Sequence, residues 1–211
     1  ALVLLVSIIA CSKDSSDTII DPDPNPNPSN DLREVFKFDF NETNGAVTYE
    51  TNSGAEFSIK GTAVNRMQGV QGNSLFFDGL SNEVEGTLPT NLMPNRNLVV
   101  SLWAAPKSYR IGTAAILALT SQGTNPGLTI GINKFGQIVV KYAINGVVSE
   151  QVTSENLDRN KWNHIAVGLT PAKRYLIIYL NNVALKTISV ASGDINWPSG
   201  TIPTNIGKNT M

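Results

Sequence analysis

From Gly127 to Val190 the chain is a succession of short alternating runs parted by turn residues, and no helical period interrupts it. Gly127 to Ile132 turns through Asn133-Lys-Phe-Gly136 into Gln137 to Ile144. Asn145-Gly146 follows, the strongest short hairpin signal, because a two-residue type I′ turn needs positive φ at both positions. Val147 to Thr153 returns, and Trp162 to Leu169, Tyr175 to Leu180, Asn181-Asn182 and Val183 to Val190 continue the pattern. Strands that alternate apolar and polar residues have one face to bury and one to wet. Such a chain closes its core by laying sheet on sheet.

The upstream sequence agrees. Phe36, Phe38 and Phe40 alternate with Lys37 and Asp39. Ser74-Leu-Phe-Phe is stopped by Asp78-Gly79, and Leu98 to Ala104 carries Trp103. Thr113 to Thr120 is apolar on every side and rich in small residues, which reads as a buried strand. The expectation is an all-β, two-sheet antiparallel jelly-roll sandwich. Its charge is nearly balanced, with 16 Lys and Arg against 17 Asp and Glu, and no basic run offers a nucleic-acid surface. A single cysteine, Cys11, allows no internal disulfide and no cysteine metal site.

Residues 1–10 form an apolar run that stops at Ala10-Cys11. This resembles the lipobox of a bacterial lipoprotein signal peptide, in which the cysteine is lipidated and becomes the new N-terminus. The run is shorter than the roughly 20 residues that span a bilayer and fits an export signal. It also fits a short apolar strand. The resemblance implies export, membrane attachment through Cys11 and a cell-surface or outer-membrane location. Residues 12–31 follow as a hydrophilic tether. In Asp21-Pro-Asp-Pro-Asn-Pro-Asn-Pro, each proline biases its predecessor toward extended backbone. The acids after Cys11 resemble the surface-export signal of Bacteroidetes lipoproteins. The folded domain is expected over 32–211.

A second resemblance covers that domain. Phe38-Asp-Phe, Gly72-Asn-Ser-Leu-Phe-Phe-Asp-Gly79, Leu98-Val-Val-Ser-Leu-Trp103, Lys161-Trp-Asn-His-Ile-Ala-Val167 and Tyr175-Leu-Ile-Ile-Tyr-Leu-Asn-Asn182 follow the order seen in LamG-like domains, which are concanavalin A-like lectin/glucanase jelly rolls. Such domains usually close with a further strand after a segment like Ile206-Gly-Lys-Asn209, so the last strands are expected beyond Met211. The wording is similar to the module that precedes family 32 (levanase-like) glycoside hydrolases. That implies an accessory role beside a catalytic domain. The resemblance also implies one Ca²⁺ near the Phe-Asp-Gly turn, with Asp39, Asp78 and Asn82 as its matching oxygen ligands. The competing reading of Asp78-Gly79 is a turn held by an Asx bond.

No catalytic residue is assigned. Glycosidases need paired carboxylates at defined separations, and the Glu-x-Asp-x-x-Glu pattern of this superfamily's glucanases is missing. Glu83-Val-Glu85 puts two acids on one strand face, lacks the third acid and reads as a solvated strand face. His164, the one histidine, reads as structural. The expected partner is a polysaccharide, a neutral glycan such as a fructan. Trp197, in the loop Gly193-Asp-Ile-Asn-Trp-Pro-Ser-Gly200, is the candidate stacking platform or else a cap on the sandwich edge, with Asp194 and Asn196 as its polar flanks. Trp103 and Trp162 fall within strand patterns and read as core.

Overall fold

The computed structural model describes residues 2–11, 32–61, 65–120 and 127–207. The tether and the last four residues lie outside them. In chain order the strands are β1 (Leu2–Cys11), β2 (Leu32–Phe38), β3 (Val47–Tyr49), β4 (Glu56–Lys60), β5 (Asn65–Gln68), β6 (Asn73–Phe77), β7 (Glu83–Pro89) and β8 (Leu98–Pro106). Then come β9 (Ala114–Leu119), β10 (Leu128–Ile132), β11 (Gln137–Ile144), β12 (Val147–Asn156), β13 (Asn163–Thr170), β14 (Tyr175–Leu180), β15 (Val183–Ser189) and β16 (Thr201–Ile206). The expected strand for Thr113 to Thr120 is β9, and the runs from Gln137 to Val190 become β11 to β15. The pattern did not single out β3, β4, β5 and β16, which are short or lack a continuous apolar alternation.

The strands form two eight-stranded antiparallel sheets. The first runs β15-β14-β13-β8-β1-β6-β5, with β2 also on β1; the second runs β12-β11-β10-β9-β16-β7-β4-β3. At one seam the Lys186 ammonium on β15 donates to the Val152 carbonyl on β12 at 2.8 Å. Several hairpin turns rest on left-handed residues, and Asn145-Gly146, at φ 51 and 78, is the type I′ turn that its sequence demands.

The apolar alternation fills the space between the sheets. Phe36, Phe38 and Phe40 are fully buried, and the Phe38 ring meets Phe57 of the opposite sheet edge-on at 4.8 Å. Each such side chain contributes about 1.5–3 kcal/mol on burial. On β8, Leu98, Val100 and Leu102 point into the core, which turns Val99, Ser101 and Trp103 outward. Trp103 is therefore not a core residue, and Trp162 is likewise only partly buried outside the core. Tryptophan is apolar enough to suggest a core position, yet the phase of the alternation decides.

The run that reads as an export signal has strand backbone here. Leu2 to Ile9 pairs with β8, while the other edge of β1 pairs with β6 through Leu2–Leu4 and with β2 from Val6 to Cys11. A ten-residue apolar run satisfies both demands, since a signal core and a strand inside a sheet have the same composition. β1 is the strand partner of β2. Chains that begin at Ser12 instead of Leu2 are expected to melt several degrees lower and to self-associate through the freed edges of β8 and β2, as checked by thermal unfolding and light scattering.

Glu50 closes the turn between β3 and β4. Its carboxylate is fully buried and accepts the N–H of Lys37 at 2.7 Å, of Asn52 at 3.0 Å and of Ser53 at 2.6 Å, with the Ser53 hydroxyl at 2.5 Å. Burial pushes its pKa up, but the Ser53 hydroxyl and the backbone N–H groups of Asn52, Lys37 and Ser53 outweigh it and hold the carboxyl below its ordinary range. Glu50→Ala strands these donors and is expected to cost about 1–3 kcal/mol, read from denaturant unfolding at neutral pH.

Candidate functional site

The second sheet carries a row of outward residues that its register aligns. Ser58 on β4 stands opposite Glu85 on β7, Glu85 opposite Asn205 on β16, and Asn205 opposite Ala118 on β9. Ala118 then faces Thr129 on β10, Thr129 faces Lys141 on β11, and Lys141 faces Glu150 on β12. Their chain neighbours Val84, Ile206, Leu117, Ile130 and Val140 fill the core, so the row points the other way. Ala118 and Thr129 are only 5 % exposed and Val139 beside them 3 %, so the centre of this face is shielded from water and its ends are open.

The row is polar and self-neutralised. At one end Lys60 pairs with Glu85 at 3.2 Å, and at the other Lys141 pairs with Glu150 at 3.3 Å. Between them stand an amide, a methyl and a hydroxyl. Four strand steps separate Glu85 from Lys141, roughly 19 Å at the usual strand spacing. Glu85 and Glu150 are one step further apart, roughly 24 Å by the same spacing, well beyond the ~5–9.5 Å that two carboxylates need to cleave a glycosidic bond between them. The row can offer donors and acceptors along an extended, hydroxyl-rich ligand. Of this row the sequence pointed only to Glu85, and as part of a solvated strand face rather than a site. The signal for the rest was the small outward residue on each of two otherwise apolar strands, Ala118 and Thr129, which becomes legible only once register is known.

Asp194, Asn196 and Trp197 come together, at the end of the sandwich where β11 turns into β12. Their polar groups are engaged internally. The Asp194 carboxylate meets Arg96 at 3.2 Å, and the Asn196 side-chain oxygen accepts the Gly146 N–H at 2.5 Å. Asn145 and Asp194 exchange further hydrogen bonds, and Asn196 donates its N–H to the Ala143 carbonyl at 3.0 Å. Trp197 packs partly buried against the core and donates its indole N–H to the Pro94 carbonyl at 3.0 Å. This loop clamps the hairpin.

Asp78 and Asn82 share one loop, but Asp39 stands apart from it. Phe38 stands opposite Val6 of β1 and Phe77 opposite Leu2, so Asp39 and Asp78 follow at points about four strand residues apart, roughly 13 Å. Asp78 caps its own loop. One of its oxygens accepts the N–H of Leu80, Ser81 and Asn82 at 2.8, 2.9 and 3.0 Å, and the other accepts the Ser81 hydroxyl at 2.6 Å. The three residues therefore do not fit one Ca²⁺, which draws its oxygens to within about 2.6 Å. Among the described residues no group of three His, Cys, Asp or Glu gathers in a way that could hold a metal.

His164 lies on the outer face of the first sheet. Its Nε2 is 2.7 Å from the Ser101 hydroxyl and its ring lies 4.9 Å from that of Trp103. Its surroundings are a hydroxyl and an indole, which match a structural histidine.

The comparisons with known proteins fit this architecture. A family model described as the concanavalin A-like lectin/glucanases superfamily matches residues 78–210. Among solved structures the chain is similar to domain 4 of AbnA, a GH43 extracellular arabinanase from Geobacillus stearothermophilus, in complex with arabinotriose. The TM-score is 0.57 at 17 % identity, over 77 % of this chain and 78 % of that one. It is also similar to the binding domain of Paraclostridial Mosquitocidal Protein 1, with a TM-score of 0.56 at 12 % identity, over 98 % of this chain and 49 % of that one. These identities establish a shared fold. No match was found among curated proteins.

Burial raises the Asp78 pKa, but the Ser81 hydroxyl and the N–H groups of Asn82, Leu80 and Ser81 outweigh it and hold the carboxyl well below the usual range. A depressed folded pKa means that the stabilisation is complete above the unfolded value of about 3.9 and is lost as pH falls below it. Asp78→Ala is therefore expected to cost about 1 kcal/mol at pH 7 and to narrow its gap to the parent in acid, measured by unfolding across the pH range.

Proposed function

We propose that the chain, which belongs to the concanavalin A-like lectin/glucanase superfamily, is a carbohydrate-binding module whose ligand lies across the outer face of the second sheet. The observation that carries this reading is the polar, self-neutralised row from Glu85 through Asn205, Ala118 and Thr129 to Lys141. Its centre has no formal charge and no bulk, and its ends are closed ion pairs. A neutral glycan meets hydroxyl partners there at no electrostatic cost, whereas a polyanion meets no excess of positive charge. The complex of the arabinanase domain with arabinotriose, a neutral oligosaccharide, is consistent with this reading.

The finer reading is a surface lipoprotein that holds a fructan-like polysaccharide, serving as the accessory part of a family 32 glycoside hydrolase. The support is the likeness of the domain to the modules ahead of those enzymes, together with the Ala10-Cys11 junction and the proline-rich spacer. Anchoring by cleavage before Cys11 takes Leu2 to Ala10 out of the sheet, so the anchored form must fill the place between β8 and β2 with another strand. Many tethered copies would then supply avidity to a shallow site.

Affinity electrophoresis in gels containing levan, inulin, arabinan or laminarin tests the site. The parent is expected to be retarded in at least one neutral glycan. Asn205→Ala and Thr129→Val should each weaken retardation about 2–10-fold, the worth of one net hydrogen bond. Trp197→Ala, which removes a clamp and not a contact of the row, should change mobility far less. Equal retardation of all the row variants would refute the site. For the anchor, Cys11→Ser is expected to move the protein from the membrane to the soluble fraction of the producing cells.

A further inference from the structure

At the end of the sandwich away from the Trp197 clamp, three loops are welded into one surface. They are Lys107–Thr113 between β8 and β9, Asn133–Gly136 between β10 and β11, and Leu157–Trp162 between β12 and β13. Tyr109 is the weld. Its ring lies so close over Gly136 that a side chain there would stand 2.4 Å from it, and its hydroxyl donates to the Leu157 carbonyl. The Arg159 guanidinium covers the ring at 5.7 Å. Backbone bonds complete the joint: the Leu157 N–H donates to the Gly136 carbonyl at 2.8 Å and the Asn160 N–H to the Pro106 carbonyl at 2.9 Å. The Asp78–Asn82 loop and the Asn181-Asn182 turn lie at the same end, because Phe77 follows the register of Leu2 and Pro106, and the Asn181 side chain accepts the His164 N–H.

Two properties meet on this surface. Large apolar side chains project into water: Ile111 is 95 % exposed, Leu80 72 %, Val183 61 % and Phe135 59 %. Ile111 and Phe135 sit on two of the loops that Tyr109 joins. At this end stand six cations, Lys60, Lys107, Arg110, Lys134, Arg159 and Lys161, against four carboxylates, Asp78, Glu83, Glu155 and Asp158. Asp78 is engaged by its own loop and Asp158 pairs with Lys161 at 3.1 Å. The chain as a whole carries a formal charge of −1, so this end is a local reversal. The Lys134 ammonium rests 4.9 Å from the Phe135 ring, which puts a cation beside an apolar prong.

We propose that this loop end docks on an anionic lipid bilayer, with Ile111 and Phe135 entering the interface and the ring of cations resting on the headgroups. A lone charged patch would suit any polyanion, and a lone apolar patch another protein. Protruding aliphatic and aromatic prongs surrounded by Lys and Arg suit the boundary where acyl chains meet acidic headgroups, because affinity there grows with both buried apolar area and opposite charge. This surface is separate from the polar row of the second sheet, so it stands or falls independently of glycan binding.

Vesicle flotation with the full chain tests the proposal, using phosphatidylcholine alone and phosphatidylcholine mixed with phosphatidylglycerol. The apolar N-terminal segment is common to every variant, so differences between variants report the loops. The parent is expected to float with the mixed vesicles, to prefer them over the neutral ones and to release as salt rises. Removing two charges with Arg110→Gln and Lys134→Gln should weaken that preference about 25-fold, at roughly fivefold per cation. Ile111→Ser with Phe135→Ser should weaken binding at least about tenfold, with circular dichroism and retardation by glycan unchanged. Equal flotation on both vesicle types, unchanged binding of either double variant, or capture by polygalacturonate without any by vesicles would each overturn it.

Discussion

The two sheets hold together through a small aromatic knot, and the rest of the molecule is arranged around it. Phe38 on the first sheet meets Phe57 on the second edge-on, while Phe36 and Phe40 flank it, all fully buried. Edge-to-face rings add a directional preference to area burial, so the contact fixes how the sheets sit as well as that they meet. With β2 and β4 locked in this way, each strand of the sandwich has one face in the core and one face outward. The functional faces follow from that phase.

The outer faces of the two sheets use this freedom differently. On the second sheet, small Ala118 and Thr129 stand side by side at the centre of the outward row, and paired charges close the row at both ends. On the first sheet, Ser101, Trp103 and His164 touch one another and form a compact patch. The loops divide in the same way. At one end Asp194, Asn196 and Trp197 spend their polar groups on the Asn145-Gly146 hairpin and on Pro94. At the other end Tyr109 spends its ring and hydroxyl on the scaffold so that Ile111, Phe135 and the cations face outward.

Residues that looked alike in sequence thus have unlike roles. Trp103 reads as core, and Trp197 as a stacking platform or a cap on the sandwich edge. The first is turned out by strand phase, and the second is drawn in because its indole N–H has a carbonyl to meet. Asp78 and Asp39 both read as oxygen ligands. Asp78 instead satisfies three backbone N–H groups of its own loop, a local bond that needs no ion.

The sequence by itself determined the all-β class, the strands from Gln137 to Val190, the Asn145-Gly146 turn and the Phe36-Phe38-Phe40 core edge. These are local matters, set by side-chain alternation and by which residues tolerate positive φ. Tertiary structure alone decided the row from Glu85 to Lys141, the clamp around Trp197 and the loop end welded by Tyr109. Each brings together residues from strands or loops far apart in the chain. The register that aligns Glu85, Asn205, Ala118 and Thr129 is a property of paired backbones, and no single strand contains it. The first ten apolar residues mark the boundary between the two. Their composition resembles an export signal and also suits a sheet strand, and in this fold the edges of β8 and β2 pair with the run as a strand.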